Sequence, residues 1–384
     1  MVRSIFIITL FFLFNYIYAD CSDLDSTECA QWAEYCEWNE DTDQCQDIGG
    51  GGGDEFGPYD ILSITQSDGM RDGPLYADAT IYYPIGSELL PLTNIIIGPG
   101  WSGDGSSMDA WAYFFASYGF IATTIDYNDP VNESHQHRAE AMLDLIETVK
   151  LENIRSESPL FDQIDTTKFA VTGYSLSGGV TQIVAMLDST IDALIALNPT
   201  IIIEDCEGCA DFQYCICLLP EHLDHNVPTL IISGENEVNE LPSYDGLLGA
   251  DQYVNTPETT IKMLYEIANG DHGSAYYPSA DGFIQSKALN WVKYHLMDST
   301  DVCEILLEEP NDASQFLTTL DCNTSISYDF NNDGSIDNTD LAMLITVVIN
   351  GSLSPFDINH DLAVNIFDIL ILSDYLQSTQ LNYN

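Results

Sequence analysis

A serine hydroxyl attacks carbonyl carbon only when a base removes its proton and an acid orients that base. The residues of first interest are therefore a hydroxyl on a sharp turn, a histidine and a carboxylate that a fold could gather. Phe169-Ala170-Val171-Thr172-Gly173-Tyr174-Ser175-Leu176-Ser177-Gly178-Gly179 reads as buried strand, tight turn and helix start. A serine at such an elbow has its hydroxyl exposed, provided small residues lie two positions to either side. Gly173 meets that need, and Ser177 stands where a second glycine is usual. Downstream, Thr229–Ile232 runs through Ser233-Gly234-Glu235-Asn236 to Glu237, which would place Glu237 at a strand's carboxyl end, with Glu235 and Glu240 as competing neighbours. His272 follows in Asn269-Gly270-Asp271-His272-Gly273-Ser274, after the next strand. The chain order Ser175, Glu237, His272 is the one a strand–elbow–helix hydrolase sheet requires, and these three are the expected catalytic residues. A surface-loop histidine is the alternative for His272. Of the rest, His135, His137, His222 and His225 lie in polar stretches and are expected in solvent, His295 ends a helix, and His360 is in the tail.

Negative charge developing on the attacked oxygen needs preorganised donors, each worth about 3–4 kcal/mol. The Leu176 amide, directly after the serine, is one candidate. The Trp101 amide in Ile97-Gly98-Pro99-Gly100-Trp101 is the other, its indole then lying over the site against an apolar or aromatic acyl group. Trp101 could instead simply pack its loop.

The elements that must position these groups are short apolar runs alternating with helical segments. Strands are expected at Ala79–Tyr83, Asn94–Ile97, Phe120–Ile125, Phe169–Thr172, Ala193–Leu197, Thr229–Ile232 and Ile261–Ile267. Helices are expected at Met108–Ser117, Arg138–Leu151, Leu176–Leu187 and Ile284–His295. Continuously apolar strands point to a mostly parallel, doubly wound α/β sheet covered on both faces. Sites in such sheets form at the carboxyl ends of the strands.

Around this module the chain changes character. Residues 1–19 carry Arg3, an apolar run from Ile5 to Phe14 and then Tyr18-Ala19, the pattern of a signal peptide cleaved after Ala19. Residues 20–48 form a small Cys-rich module (Cys21, Cys29, Cys36, Cys45), and Gly49–Gly53 reads as a flexible linker. An even 10 Cys in an exported chain point to disulfides. Zinc is the alternative for Cys206-x-x-Cys209, but Cys215-x-Cys217 has the wrong spacing. With 9 Lys+Arg against 61 Asp+Glu, the formal net charge is −52, which excludes a phosphate-binding surface and hence nucleic acid. The excess reads as adaptation to salty water or simply as an acidic secreted protein. No stretch is long enough for a transmembrane segment.

Residues 54–322 resemble bacterial cutinase-like polyester hydrolases, poly(ethylene terephthalate) (PET) hydrolases included, within the α/β-hydrolase fold. The matching stretches are Gly57-Pro58-Tyr59, Ala79-Thr80-Ile81-Tyr82-Tyr83-Pro84, Pro99-Gly100-Trp101, Ser106-Ser107, Gly119-Phe120, the elbow, Val227-Pro228-Thr229-Leu230-Ile231 and Glu235-Asn236-Glu237. The resemblance implies a Ser175–His272–Glu237 triad, oxyanion donors at Trp101 and Leu176, and a Cys303–Cys322 disulfide. It also implies an open cleft contacted by Trp101, Tyr174 and Thr200. Three departures bear on substrate. Glu237 replaces the usual Asp, Thr200 replaces an aromatic that clamps substrate in many relatives, and Glu204–Leu219 is an insertion with four Cys. Ester hydrolysis survives these changes, while action on PET is put in question.

The tail, 326–384, holds two calcium-type loops. Asp329, Asn331, Asp333, Ser335 and Asp340 fall at loop positions 1, 3, 5, 7 and 12, with Gly334 at the turn. The second copy offers Asp357, Asn359, Asp361, Ala363, Asn365 and Asp368, with Leu362 in place of the turn glycine. Each loop runs into an apolar helical segment, and the pair resembles a dockerin, which implies Ca2+ and a cohesin-bearing scaffold partner. An isolated EF-hand pair or an acidic linker are the alternatives. No cofactor is expected for catalysis. The expectation is thus a secreted serine ester hydrolase working through an acyl-enzyme and docked by its tail. A plant cell-wall carbohydrate esterase (acetyl xylan or feruloyl) or a non-catalytic scaffold-binding protein are the alternatives.

Overall fold

The computed structural model describes residues 36–39, 44–47, 56–87, 89–201, 223–278, 283–322, 330, 336–350 and 364–381. The expected signal peptide, the glycine linker, most of the Cys-rich module and the four-Cys insertion lie outside them, as do His222, His360 and every expected calcium ligand except Asp340, Asn365 and Asp368. The chain divides into two compact units, Met1–Leu320 and Asp321–Asn384.

Within the Cys-rich segment, β1 (Cys36–Asn39) and β2 (Gln44–Asp47) form an antiparallel hairpin. The large sheet has nine strands: β3 (Ile61–Thr65), β4 (Tyr76–Pro84), β5 (Leu92–Gly98), β6 (Ile121–Tyr127), β7 (Ile164–Tyr174), β8 (Ala193–Leu197), β9 (Thr229–Gly234), β10 (Lys262–Ile267) and β11 (Ala313–Thr318). Its spatial order is β11-β10-β9-β8-β7-β5-β6-β4-β3. The six strands from β10 to β6 run parallel, while β11 pairs antiparallel with β10 at one edge and, at the other, β4 pairs antiparallel with β6 and β3 with β4. The expected α/β sheet is present, with antiparallel margins that the apolar-run reading did not contain. The reason is visible in β3 and β11, whose alternating or mostly exposed residues lack the continuous apolar pattern of a strand buried on both faces.

Five helices of the first unit are α1 (Asp109–Ser117), α2 (His135–Glu152), α3 (Leu176–Leu187), α4 (Gly249–Asn255) and α5 (Ile284–Leu296). α2 begins three residues earlier than the sequence pattern suggests because Ser134 caps it, its hydroxyl accepting the His137 amide at 3.2 Å. β5, β8 and β9 are buried along their whole length, and α1, α2, α3 and α5 cover them with Trp111, Phe114, Met142, Leu145, Val180, Val184 and Trp291. Two histidines expected in solvent are inside. His135 and His225 are 5 % and 6 % exposed, and burial lowers both to a pKa of about 4, so they stay neutral. His135 Nε2 lies 3.2 Å from the Thr200 carbonyl and His225 Nε2 2.7 Å from Gln182 Oε1, which explains how polar side chains tolerate the core.

The second unit contains α6 (Asn338–Asn350) and α7 (Ile366–Leu381). Leu344, Leu372 and Leu376 form its small core, with Phe330, Leu341, Val348 and Ile369 packed around it. No helix among the described residues is long and apolar enough to cross a membrane.

Candidate active site

The elbow is built by close approach. A Cβ at Gly173 would lie 2.4 Å from the Ser177 carbonyl oxygen, so only glycine lets β7 turn directly into α3. Ser175 takes φ 53° and ψ −116°, a backbone state that non-glycine residues avoid and that functional turns retain. Two backbone bonds hold it there. The Ser175 amide donates to the Leu197 carbonyl at 2.8 Å, and the Thr200 amide donates to the Ser175 carbonyl at 3.0 Å.

β7, β8, β9 and β10 are consecutive neighbours in the sheet, so their carboxyl ends deliver their following residues to one rim. Ser175 follows β7, Asn198 follows β8, Glu237 follows β9 and His272 follows β10. His272 Nε2 lies 2.8 Å from Ser175 Oγ. On the ring's other side, Glu237 Oε1 lies 3.6 Å from His272 Nδ1, and Glu237 is 1 % exposed. The structure therefore brings together the three residues that the sequence pattern pointed to. Of the competing carboxylates, Glu235 accepts the Asn269 amide at 2.8 Å and Glu240 accepts the His272 amide at 3.0 Å. Both carboxylates fasten the histidine's loop by its backbone, and Glu237 alone faces the imidazole.

The loop Gly98–Trp101 runs beside the serine: a Cβ on Gly100 would sit 3.5 Å from the Ser175 Cβ. Leu176 opens α3, where the first amides of a helix have no partner within it. Trp101 is 54 % exposed, and its indole donates to the Val131 carbonyl at 3.0 Å, which holds a bare aromatic face at the rim. Tyr174 donates its phenol to the His272 carbonyl at 2.9 Å and packs 4.7 Å from Tyr276, centroid to centroid. Thr200 is placed differently from expectation: it is 4 % exposed, and its backbone serves the elbow and His135 rather than offering a surface to substrate.

Two polar contacts had no voice in the sequence pattern. Ser177, apparently a mere stand-in for glycine, donates its hydroxyl to the Pro99 carbonyl and lies 3.0 Å from the Tyr127 hydroxyl, tying the Trp101 loop to the elbow helix. Asn198, fully buried, donates to Glu237 Oε1 and accepts the Ala275 amide at 2.7 Å. A polar residue ending the wholly apolar run Ala193–Leu197 was the available signal for it.

Cys303 and Cys322 each stand in a disulfide. In the second unit, Asp340 and Asp368 are fully buried in the first turns of their helices. Asp340 accepts the amides of Phe330 at 2.7 Å and Asp337 at 2.9 Å, and Asp368 accepts that of Asn365 at 2.7 Å. Backbone amides thus hold each carboxylate at the end of its acidic loop, and carboxylate oxygen is the donor type a hard cation takes.

A family profile described as PET hydrolase-like matches residues 55–324, and one described as dockerin type I domain matches residues 327–377. The chain is 26 % identical over 264 residues to cutinase 2 of Thermobifida cellulosilytica, covering 67 % of this chain and 87 % of that protein. It is 26 % identical over 264 residues to cutinase cut1 of Thermobifida fusca, covering 67 % and 71 %. To bis(hydroxyethyl) terephthalate hydrolase of Streptomyces coelicolor it is 23 % identical over 265 residues, covering 66 % and 73 %.

Proposed function

The chain belongs to the PET hydrolase-like family of carboxylic ester hydrolases and carries a dockerin type I domain, and from that membership we propose a secreted serine esterase that works through Ser175, His272 and Glu237. The observation that carries the reading is the 2.8 Å approach of His272 Nε2 to Ser175 Oγ, with the buried Glu237 carboxylate behind the ring. With Nδ1–H facing Glu237, the Nε2 lone pair takes the Ser175 proton as Oγ bonds to the ester carbonyl carbon. The tetrahedral oxyanion is held by the Leu176 and Trp101 amides. Collapse breaks the ester C–O bond, His272 returns the proton to the departing alcohol, and an acyl-enzyme remains. Water, deprotonated by His272, then attacks the acyl carbon, and Ser175 leaves with the proton. Glu237 stabilises the imidazolium that forms.

The exposed Trp101 ring and the half-buried Tyr174 ring beside the serine suit a flat or apolar acyl group, as in cutin or a synthetic polyester. The dockerin domain favours a second substrate reading, acyl groups on plant cell-wall polysaccharide, because it implies a cohesin partner of the kind that collects enzymes on a scaffold. In the tail, Asp329, Asn331, Asp333 and Asp340 of one loop and Asp357, Asn359, Asp361 and Asp368 of the other would hold Ca2+, with the carbonyls of Ser335 and Ala363. That ion would neutralise converging carboxylates and keep the loops folded.

The deciding experiment compares the full chain with Ser175→Ala on p-nitrophenyl esters, polyester film and acetylated xylan. Wild type should hydrolyse the short ester and be labelled by a serine-directed phosphonate, and Ser175→Ala should lose both, with kcat down by about 10⁶. Undiminished turnover by Ser175→Ala would end the proposal, and fatty-acid or aromatic release against acetate release separates the two substrate readings.

A further inference from the structure

Glu237 poses a geometric problem. With one methylene more than aspartate, its carboxylate has an additional free torsion, yet it must stay against His272 Nδ1 from a fully buried position. The ring alone does not fix it, since Oε1 is 3.6 Å from Nδ1 and Oε2 has no hydrogen-bond partner among the described residues.

Asn198 supplies what the ring does not. It follows β8, the strand between those that deliver the serine and the acid, and takes φ 41°, a left-handed state asparagine tolerates better than most side chains. Its backbone is fixed from β9, the Asn198 amide donating to the Ile232 carbonyl at 2.7 Å. The orientation of the carboxamide is equally determined. Oδ1 accepts the Ala275 amide at 2.7 Å, so that end must be oxygen, and Nδ2 is left to donate to Glu237 Oε1 and to the Asp271 carbonyl at 3.2 Å. One buried side chain thus grips the carboxylate on β9's loop and both flanks of His272 on β10's loop.

Resting on the triad reading, we propose that Asn198 is the positioning residue that makes a glutamate serve as the acid of this site, by clamping the Glu237 carboxylate in register with His272. The side chain touches no substrate; it acts through Glu237. Because it fixes an orientation used at the moment of proton transfer, its loss should lower kcat and leave KM near its wild-type value.

The test is a double-mutant cycle on the full chain with a p-nitrophenyl ester: wild type, Asn198→Ala, Glu237→Ala and the double variant, each checked for thermal unfolding. Asn198→Ala should lower kcat by about 10²-fold, the scale on which catalytic groups misplaced by an ångström lose rate. In the Glu237→Ala background the same change should cost less than about threefold, because there is no carboxylate left to hold. Should Asn198→Ala not fold, Asn198→Leu replaces it in the cycle: it keeps the volume and loses the donor without placing a second charge beside Glu237. An equal fold-loss in both backgrounds assigns Asn198 to general scaffolding and overturns the proposal, as does a wild-type kcat for the single variant. If Glu237→Ala itself keeps wild-type kcat, the triad reading fails and takes the clamp with it. That outcome is distinct from a failed clamp on an intact triad.

Discussion

At the scale of single residues, the site depends on hydroxyls and carboxylates whose partners lie far away in sequence. Ser177 is the instructive case. As a letter in the elbow motif it is only a small residue, acceptable where glycine is usual. In the fold its hydroxyl meets the Pro99 carbonyl, one residue before Gly100-Trp101, and the Tyr127 hydroxyl. Tyr127 in turn lies under the Arg138 guanidinium, 4.3 Å from its ring centroid, and Arg138 donates to the Pro130 carbonyl. Ser177→Ala should leave the Pro99 carbonyl without this donor in a buried place and reduce stability by about 1–2 kcal/mol, read from urea unfolding. It should also lower kcat, since the loop carrying the expected Trp101 donor loses its anchor. A variant as stable and as fast as wild type would show that the hydroxyl merely fills space.

Elements show which parts of the pattern could be read. Helix α3 and strand β8 occur where the apolar run and the Gly-rich start place them, since burial on both faces leaves a continuous signature. Of the edge β3–β4–β6 only β3 went unread, and this edge holds a cavity of about 170 Å³ lined by Asp78, Asp104, Asp109, Asp126, Tyr82 and Thr124. Burial raises the Asp109 carboxyl from 3.8 to about 6, although Tyr82 donates its phenol to that carboxylate at 2.7 Å. Between those two values the folded state holds a proton that the unfolded chain releases. Asp109 therefore contributes most at low pH, and its contribution declines as pH rises through 4 to 6. Asp109→Asn keeps an acceptor for Tyr82 and removes the buried charge. It should stabilise the protein at pH 7 by about 1–2 kcal/mol and by almost nothing near pH 4. Calorimetry at the two pH values checks the sign, and equal gains at both would refute it.

For the whole molecule, the balance of charge is the dominant fact. Of the 9 Lys and Arg residues, Arg138, Lys262 and Lys287 are fully buried, so the surface is more one-sided than the net charge of −52 suggests. The buried cations act as internal caps. Lys287 Nζ donates to the Ile305, Leu306 and Glu308 carbonyls, and Lys262 Nζ to those of Tyr253 and Thr256. Repulsion among the remaining carboxylates extends about 10 Å at 0.1 M salt and about 3 Å at 1 M. Raising NaCl from 0.1 to 1 M should therefore raise Tm, and a flat or falling Tm would refute an electrostatic limit on stability. A chelator should lower the unfolding temperature of the second unit more than that of the first, since the paired calcium-type loops lie in the dockerin unit. Identical traces with and without chelator would count against bound calcium.

The chain alone determined its class: the elbow, the order Ser175, Glu237, His272, the apolar strand rhythm and the paired acidic loops are all local patterns, and local patterns follow from burial and turn chemistry. Which of Glu235, Glu237 and Glu240 faces the imidazole was decided only by the fold, because three carboxylates within six residues differ in direction, not in type. The burial of His135 and His225 and the grip of Asn198 on Glu237 were settled in the same way. Each depends on strands adjacent in the sheet but distant in the chain, and sequence spacing carries no record of that adjacency.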